Sequence, residues 1–127
     1  MLNIILASKS KVRKEILDNN NIPSDVEVSN VDEEPIKESL LKEGATPEII
    51  SKNLAELKAN KVSQKVSNTL VLGADSVIDL SGELISKPEN RDEALTILKK
   101  LYHLFGMKRA RRNTQPFGTA RHSWIVN

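Results

Sequence analysis

The stretch Leu70–Pro88, LVLGADSVIDLSGELISKP, decides how the rest of the chain is read. Leu70-Val71-Leu72 is a short apolar run of the kind that suits a buried strand. Gly73 and Ala74 are small enough for a ligand or another backbone to come close. Asp75 follows, an acid expected where the strand leaves the core. Val77-Ile78-Asp79-Leu80, the turn pair Ser81-Gly82 and Glu83-Leu84-Ile85 predict a hairpin. Lys87-Pro88 closes the unit with a cation beside a stiff neighbour. An acid and a lysine at the two ends of one hairpin suit a phosphate-bearing ligand bound through a metal.

Upstream, Leu2 to Leu6 reads as a buried strand, and Ser8 and Ser10 bracket the turn after it. Ser10 is a plausible N-cap for a helix over about 11–19, with Val12, Ile16 and Leu17 as its apolar face. Lys9, Lys11, Arg13 and Lys14 crowd the start of that helix, where the macrodipole disfavours cations. They make sense if an anion sits where the free N–H groups also point; the alternative is a solvated face. Asp25 to Val31 alternates like a strand and runs into Asp32-Glu33-Glu34-Pro35. Such adjacent carboxylates suit a hard divalent ion, although on sequence alone an exposed acidic turn is the simpler reading.

Ile36 to Glu43 is expected to form a short helix stopped at Gly44. Thr46-Pro47 is a stronger start signal, opening a helix to about Val66. Lys58 lies near the apolar stripe of that helix, where it either snorkels to water or reaches a phosphate at the rim of the core. Asn90 with Glu93 resembles a capping pair for an amphipathic helix through Leu101.

The chain has 127 residues, enough for one domain, with 39% hydrophobic and 28% charged residues. It has no cysteine, which excludes disulfides and thiolate chemistry. No apolar run is long enough for a membrane span and no secretory signal is evident, so a cytoplasmic protein is expected. The net charge of +2 hides a break: residues 1–101 hold 14 basic and 17 acidic residues, whereas residues 102–127 hold 5 basic and none acidic. All four aromatics (Tyr102, Phe105, Phe117, Trp124) and both histidines (His103, His122) also lie in the second segment. Two segments are therefore expected: a domain over 1–101 and a poorly ordered basic tail over 102–127. The run Lys108-Arg109-Ala110-Arg111-Arg112, with Phe117 and Trp124 as stacking platforms, is compatible with a nucleic-acid patch, but a solvated tail is preferred.

Five motifs, in order, resemble the Maf family of nucleotide pyrophosphatases. Leu6-Ala7-Ser8-Lys9-Ser10-Lys11-Val12-Arg13, with Leu17, is similar to the LASxSPRRxxLL signature. Val31-Asp32-Glu33-Glu34 resembles VDE, and Leu54-Ala55-Glu56-Leu57-Lys58-Ala59 resembles LAxxKA. Gly73-Ala74-Asp75-Ser76-Val77-Ile78 is similar to GADTVV, and Ser86-Lys87-Pro88 to GKP. The resemblance implies an α/β fold with a mixed twisted sheet, flanking helices and a cleft between two lobes, commonly in a homodimer. It implies hydrolysis of a nucleoside triphosphate to the monophosphate and pyrophosphate with a divalent metal, Mg²⁺ or Mn²⁺. By this resemblance Asp75 accepts the proton of the attacking water and Glu33 helps Asp75 hold the metal. Ser8, Ser10, Arg13, Lys58 and Lys87 bind phosphate. Val12 and Ser76 stand at positions where the family varies its base preference, which leaves pyrimidine triphosphates and 7-methyl-GTP both open. The likeness is expected to end near residue 101, with the C-terminal lobe missing. An inactive nucleotide-binding fragment is the competing reading.

Overall fold

The computed structural model describes residues 3–80, 82–85, 88, 90–110 and 119–126. Nine elements follow in order: β1 (Ile4–Leu6), α1 (Lys11–Asn19), β2 (Ser24–Val26), α2 (Glu33–Lys42), α3 (Pro47–Ser63), β3 (Leu70–Leu80), β4 (Glu83–Ile85), α4 (Arg91–Ala110) and β5 (Thr119–Val126). The fold is the mixed α/β sheet with flanking helices that the sequence implied.

β3 is its spine. β1 runs parallel to β3 at residues 70–72, with β2 parallel on its far side. β4 runs antiparallel to β3 at 78–80, and β5 antiparallel at 72–79. Leu72 pairs with both Leu6 and Val126, and Ile78 with both Ile85 and Ala120. Because a strand has only two edges, β1 and β4 share one edge of β3 and β5 lines the other. Among the described residues, no strand pairs with residues 73–77 on the β1/β4 edge. The sheet therefore changes from parallel to antiparallel across an opening at the carboxyl end of β1, the kind of break where open α/β sheets bind ligands.

Asp75 does not stand at a strand end, as the apolar run suggested, but in the middle of an eleven-residue strand. Small side chains at 73 and 74 did not end the strand, because its hydrogen bonds to β5 continue past them. The close approach read into Gly73 is that of another backbone. A Cβ there would lie 2.2 Å from the Ala55 carbonyl oxygen and 2.9 Å from the Ala59 Cβ, so α3 rests directly on β3. Val71, Gly73, Asp75 and Val77 thus face α3, and Ser76 faces the other way, by the two-residue alternation of a strand. The hairpin expected after β3 is present, with Gly82 at φ 92° and its N–H donating to Asp79 Oδ1 at 2.7 Å.

Thr46 caps α3 as expected, its hydroxyl accepting from the Ile49 N–H, with Pro47 in the first turn. The buried side of α3 is Ile50, Ser51, Leu54, Ala55, Lys58, Ala59 and Val62, whereas Ile49 and Leu57 face outward. Ala7, Ala59, Val62 and Val71 form the fully buried centre, with Ile5, Val66 and Ile125 packed against it. Burying a Val or Leu side chain contributes about 1.5–3 kcal/mol, so this seam fixes α3 to the sheet.

Several expectations are corrected. On α1 only Leu17 is buried, while Val12 and Ile16 are exposed, because α1 covers little of the sheet. The strand expected over 25–31 is the short β2, and the acidic cluster is not a strand-end turn. Asp32 is the N-cap of α2 and Glu33 and Glu34 form its first turn, where the macrodipole favours anions. Helix α4, capped by Asn90 Oδ1 accepting from the Glu93 N–H at 2.8 Å, runs beyond Leu101 to Ala110. Residues 119–126, expected in a poorly ordered tail, form β5 along β3. Of the basic run, Arg111 and Arg112 lie outside the described residues, as does Phe117. No helix among the described residues is long and apolar enough to cross a membrane.

Candidate active site

Two groups of side chains flank the opening in β3. On the α3 face, Lys58 Nζ lies 2.7 Å from Glu33 Oε1 and 3.0 Å from Asp75 Oδ1. The approach of α3 at Gly73 makes this possible. With Ala55 and Ala59 against the strand, the next outward position on the same helix face delivers an ammonium to residue 75. The Lys58 side chain is 11% exposed and that of Asp75 7%. Lys58 therefore neither snorkels to water nor stands alone at the rim, as the sequence allowed; it is a buried counter-ion between two carboxylates. Removing one partner of a buried pair typically costs about 3–5 kcal/mol, because the other charge is left behind.

Asp75 is further fixed through its backbone, whose carbonyl accepts from the Ser51 hydroxyl at 3.4 Å. Its second carboxylate oxygen, Oδ2, is buried with no hydrogen-bond partner among the described residues. A buried, unpartnered carboxylate oxygen is costly unless a ligand, water or ion completes it. Glu33 is bracketed, with Oε1 on Lys58 and Oε2 3.6 Å from Lys37 Nζ. Burial by itself would raise its pKa, but the hydrogen bond and charge of Lys58, joined by those of Lys37, hold it below the ordinary value of 4.5. Glu33 is thus kept as a carboxylate.

On the other face of β3, Arg13 Nη1 donates to Ser8 Oγ at 2.9 Å and Nη2 to Ser76 Oγ at 3.2 Å. Ser8 Oγ also accepts from the Ser10 N–H, and Ser10 Oγ caps α1 by accepting from the Arg13 N–H at 3.3 Å. One guanidinium thereby ties the turn after β1 to the centre of β3. No acid occupies the first turn of α1, so its free N–H groups and Arg13 present positive potential together. Val12 is exposed on the first turn of the same helix.

The structure thus brings Glu33, Lys58 and Asp75 together, and separately Ser8, Ser10, Arg13 and Ser76. The two groups meet at consecutive residues of one strand, Asp75 and Ser76, that point to opposite faces. Lys87 lies outside the described residues. Sequence reading missed Lys37 and Ser51. Lys37 is four residues after Glu33, a spacing that signals an ion pair only if the helix begins at Glu33 rather than Ile36. Ser51 carried no signal, since only the seating of α3 on β3 brings it to Asp75.

Among the described residues no group of three or more acidic, histidine or cysteine side chains could cage a metal. Two carboxylates, one with an oxygen left unpartnered, nevertheless fit a Mg²⁺-like ion. Such ions are held by one or two protein carboxylates and complete their shell with water and substrate phosphate.

Lys58 thus lies between buried Asp75 and half-buried Glu33 on one face of β3, and Arg13 stands at the start of α1 on the other. The chain belongs to the Maf family, whose model, described as Maf-like protein, matches residues 3–105. A nucleoside triphosphate pyrophosphatase of Pelagibacter ubique is 70% identical over 98 residues, covering 77% of this chain and 50% of that protein. A 7-methyl-GTP pyrophosphatase of Brucella abortus is 36% identical over 98 residues, covering 77% and 49%. The chain spans about half the length of these curated relatives. Nucleoside triphosphate pyrophosphatase 1 of a Jannaschia species is 35% identical over 131 aligned positions, covering 97% of this chain and 66% of that protein. The family match ends at residue 105, near the limit expected at about residue 101, while the alignment with the Jannaschia protein extends beyond it.

Proposed function

We propose that this chain carries the phosphate-binding and water-activating part of a nucleoside triphosphate pyrophosphatase, which splits its substrate into the monophosphate and pyrophosphate. The observation that carries the reading is Asp75 Oδ2, a buried carboxylate oxygen with no partner among the described residues, in a side chain fixed at its other oxygen by Lys58. A base of this kind accepts a proton from water without first giving up a hydrogen bond. Lys58 holds Asp75 and Glu33 side by side, and Arg13, with Ser8 and Ser10, offers charge-assisted donors to phosphate oxygens. Glu33 and Asp75 would hold a divalent ion, whose chemistry is to neutralise charge on the phosphate oxygens. Phosphoryl transfer asks mainly for such positioning and neutralisation, and needs no covalent nucleophile. Ser76, facing Arg13, and exposed Val12 are the positions proposed to bias the base, toward a standard or a modified nucleoside triphosphate.

The test is a panel of nucleoside triphosphates with Mg²⁺ or Mn²⁺, with products identified. Monophosphate plus pyrophosphate supports the reading. Release of orthophosphate, or binding without turnover, overturns it, and the second result favours a nucleotide-binding fragment.

A further inference from the structure

We infer that Lys58 is the resident cation of this site, holding the place of the divalent ion until nucleotide phosphate draws the ammonium away. The inference rests on the reading that Glu33 and Asp75 receive the metal. Lys58 Nζ already occupies one oxygen of each carboxylate, at 2.7 and 3.0 Å, and is nearly sealed from water. A divalent ion seeking Asp75 Oδ2 would meet a like charge on the same carboxylate, where repulsion is strong and little screened. Lys37, 3.6 Å from the other oxygen of Glu33, adds to the balance. With Lys58 on both carboxylates and Lys37 shared between Glu33 and Glu34, much of the attraction that Glu33 and Asp75 would offer a bare metal ion is already taken up.

A triphosphate reverses that sign. It brings several negative charges, and the flexible four-carbon stem of a lysine can swing its ammonium from carboxylate to phosphate without leaving the site. An arginine, locked as a planar fork onto a carboxylate, could not do so as readily. Metal and nucleotide should therefore enter cooperatively, while either alone binds weakly. Until then Lys58 holds the two carboxylates together, so the site is assembled before its ligands arrive.

The experiment is Mn²⁺ binding to the full chain without nucleotide, read from the electron paramagnetic resonance of free Mn²⁺. Lys58→Gln should bind Mn²⁺ at least roughly tenfold more tightly than the parent, since a unit charge beside the ion is removed. Lys58→Arg, which keeps the charge, should show no gain, and Lys37→Gln, which faces Glu33 and Glu34 but not Asp75, a smaller one. Adding Asp75→Asn to Lys58→Gln should abolish the gain. Equal or weaker Mn²⁺ binding by Lys58→Gln, or a gain that survives Asp75→Asn, overturns the inference. The parent chain gives a check that needs no substitution: Mg²⁺ with a nucleoside triphosphate must shift the Lys58 ammonium resonance in ¹H–¹⁵N spectra while Mg²⁺ alone leaves it nearly in place, and a resonance unmoved by the two together, or moved as far by Mg²⁺ alone, overturns the inference as well. Turnover reports separately. A chain that hydrolyses no triphosphate yet gains Mn²⁺ affinity on Lys58→Gln retains the counter-ion role and loses the pyrophosphatase reading. Turnover without that gain does the reverse.

Discussion

Replacing Gly73 by alanine is the smallest change that tests how the site is assembled. In the strand, alanine should help slightly, because a residue with fewer unfolded conformations stabilises by about 0.4–1 kcal/mol where its backbone fits. Sterics oppose this. The new Cβ would stand 2.2 Å from the Ala55 carbonyl oxygen, 2.8 Å from the Ala59 nitrogen and 2.9 Å from the Ala59 Cβ. Reaching an ordinary contact of 3.4 Å means moving the Ala55 carbonyl by the difference, 1.2 Å. The atoms in the way are helix backbone, so no rotamer can yield and α3 must shift as a body. Overpacking of this kind costs about 1–3 kcal/mol, which exceeds the entropic gain and gives a net loss of roughly 1–2 kcal/mol. Lys58 rides on the same helix, so its contacts with Asp75 loosen together with the core. Urea unfolding of Gly73→Ala should show a lower midpoint at unchanged slope. Adding Ala59→Gly should restore little, because the nearest obstacle is the Ala55 carbonyl. Stability equal to or above the parent would refute the argument that the approach of α3 at residue 73 positions the site.

Asp75→Asn should lower turnover by about 10²–10⁴ while leaving nucleotide binding nearly intact, as expected on loss of a general base; an unchanged kcat dismisses that role. Arg13→Ala should weaken triphosphate binding by about 1.5–3 kcal/mol, the worth of a hydrogen bond to a charged group, with nucleoside binding little affected. Calorimetry showing the two falling together would make Arg13 a structural tie between Ser8 and Ser76. Glu33 has a lowered pKa when folded, so the unfolded chain binds more protons below about pH 4.5. Its contribution to stability is present above that pH and is lost as the pH falls through the folded value. Denaturant midpoints of Glu33→Gln should therefore fall less on acidification than those of the parent, and parallel profiles would remove the Glu33–Lys58 pair from the acid response. Deleting residues 119–127 should expose the β3 edge and raise light scattering at micromolar concentration, whereas scattering unchanged from the parent would show that β5 does not protect that edge.

How much of this was legible depended on whether a residue's role was local. The N-cap of Thr46, the Asn90–Glu93 pair and the Gly82 hairpin were readable because each depends on residues within a few positions of itself. Glu33, Lys58 and Asp75 were singled out by motif resemblance, but their contact was not readable. It depends on the register of α3 over β3, which Gly73, Ala55 and Ala59 set through the room they leave. Lys58 shows the difficulty most clearly. A lysine on an apolar stripe ordinarily reaches for water, and only knowledge of two carboxylates beneath it turns the same pattern into a buried ion pair.

β5 shows where a period read from one strand fails for a physical reason. Thr119-Ala-Arg-His-Ser-Trp-Ile-Val126 has no clean alternation, because it is specified by its partner and not by an apolar face of its own. β3 presents an edge at 72–79 whose backbone groups need partners, and any extended segment able to lie there can supply them. Ile125, opposite Gly73, packs against the buried seam of Ala59, Val62 and Val71, whereas Trp124 and Val126 remain exposed. Among the side chains described in β5, those of residues 124–126, Ile125 is the one apolar anchor, too little to register as a pattern. Yet it sits beside the glycine on which α3 rests, so the segment that looked foreign by composition packs against the same seam that carries Lys58 to Asp75.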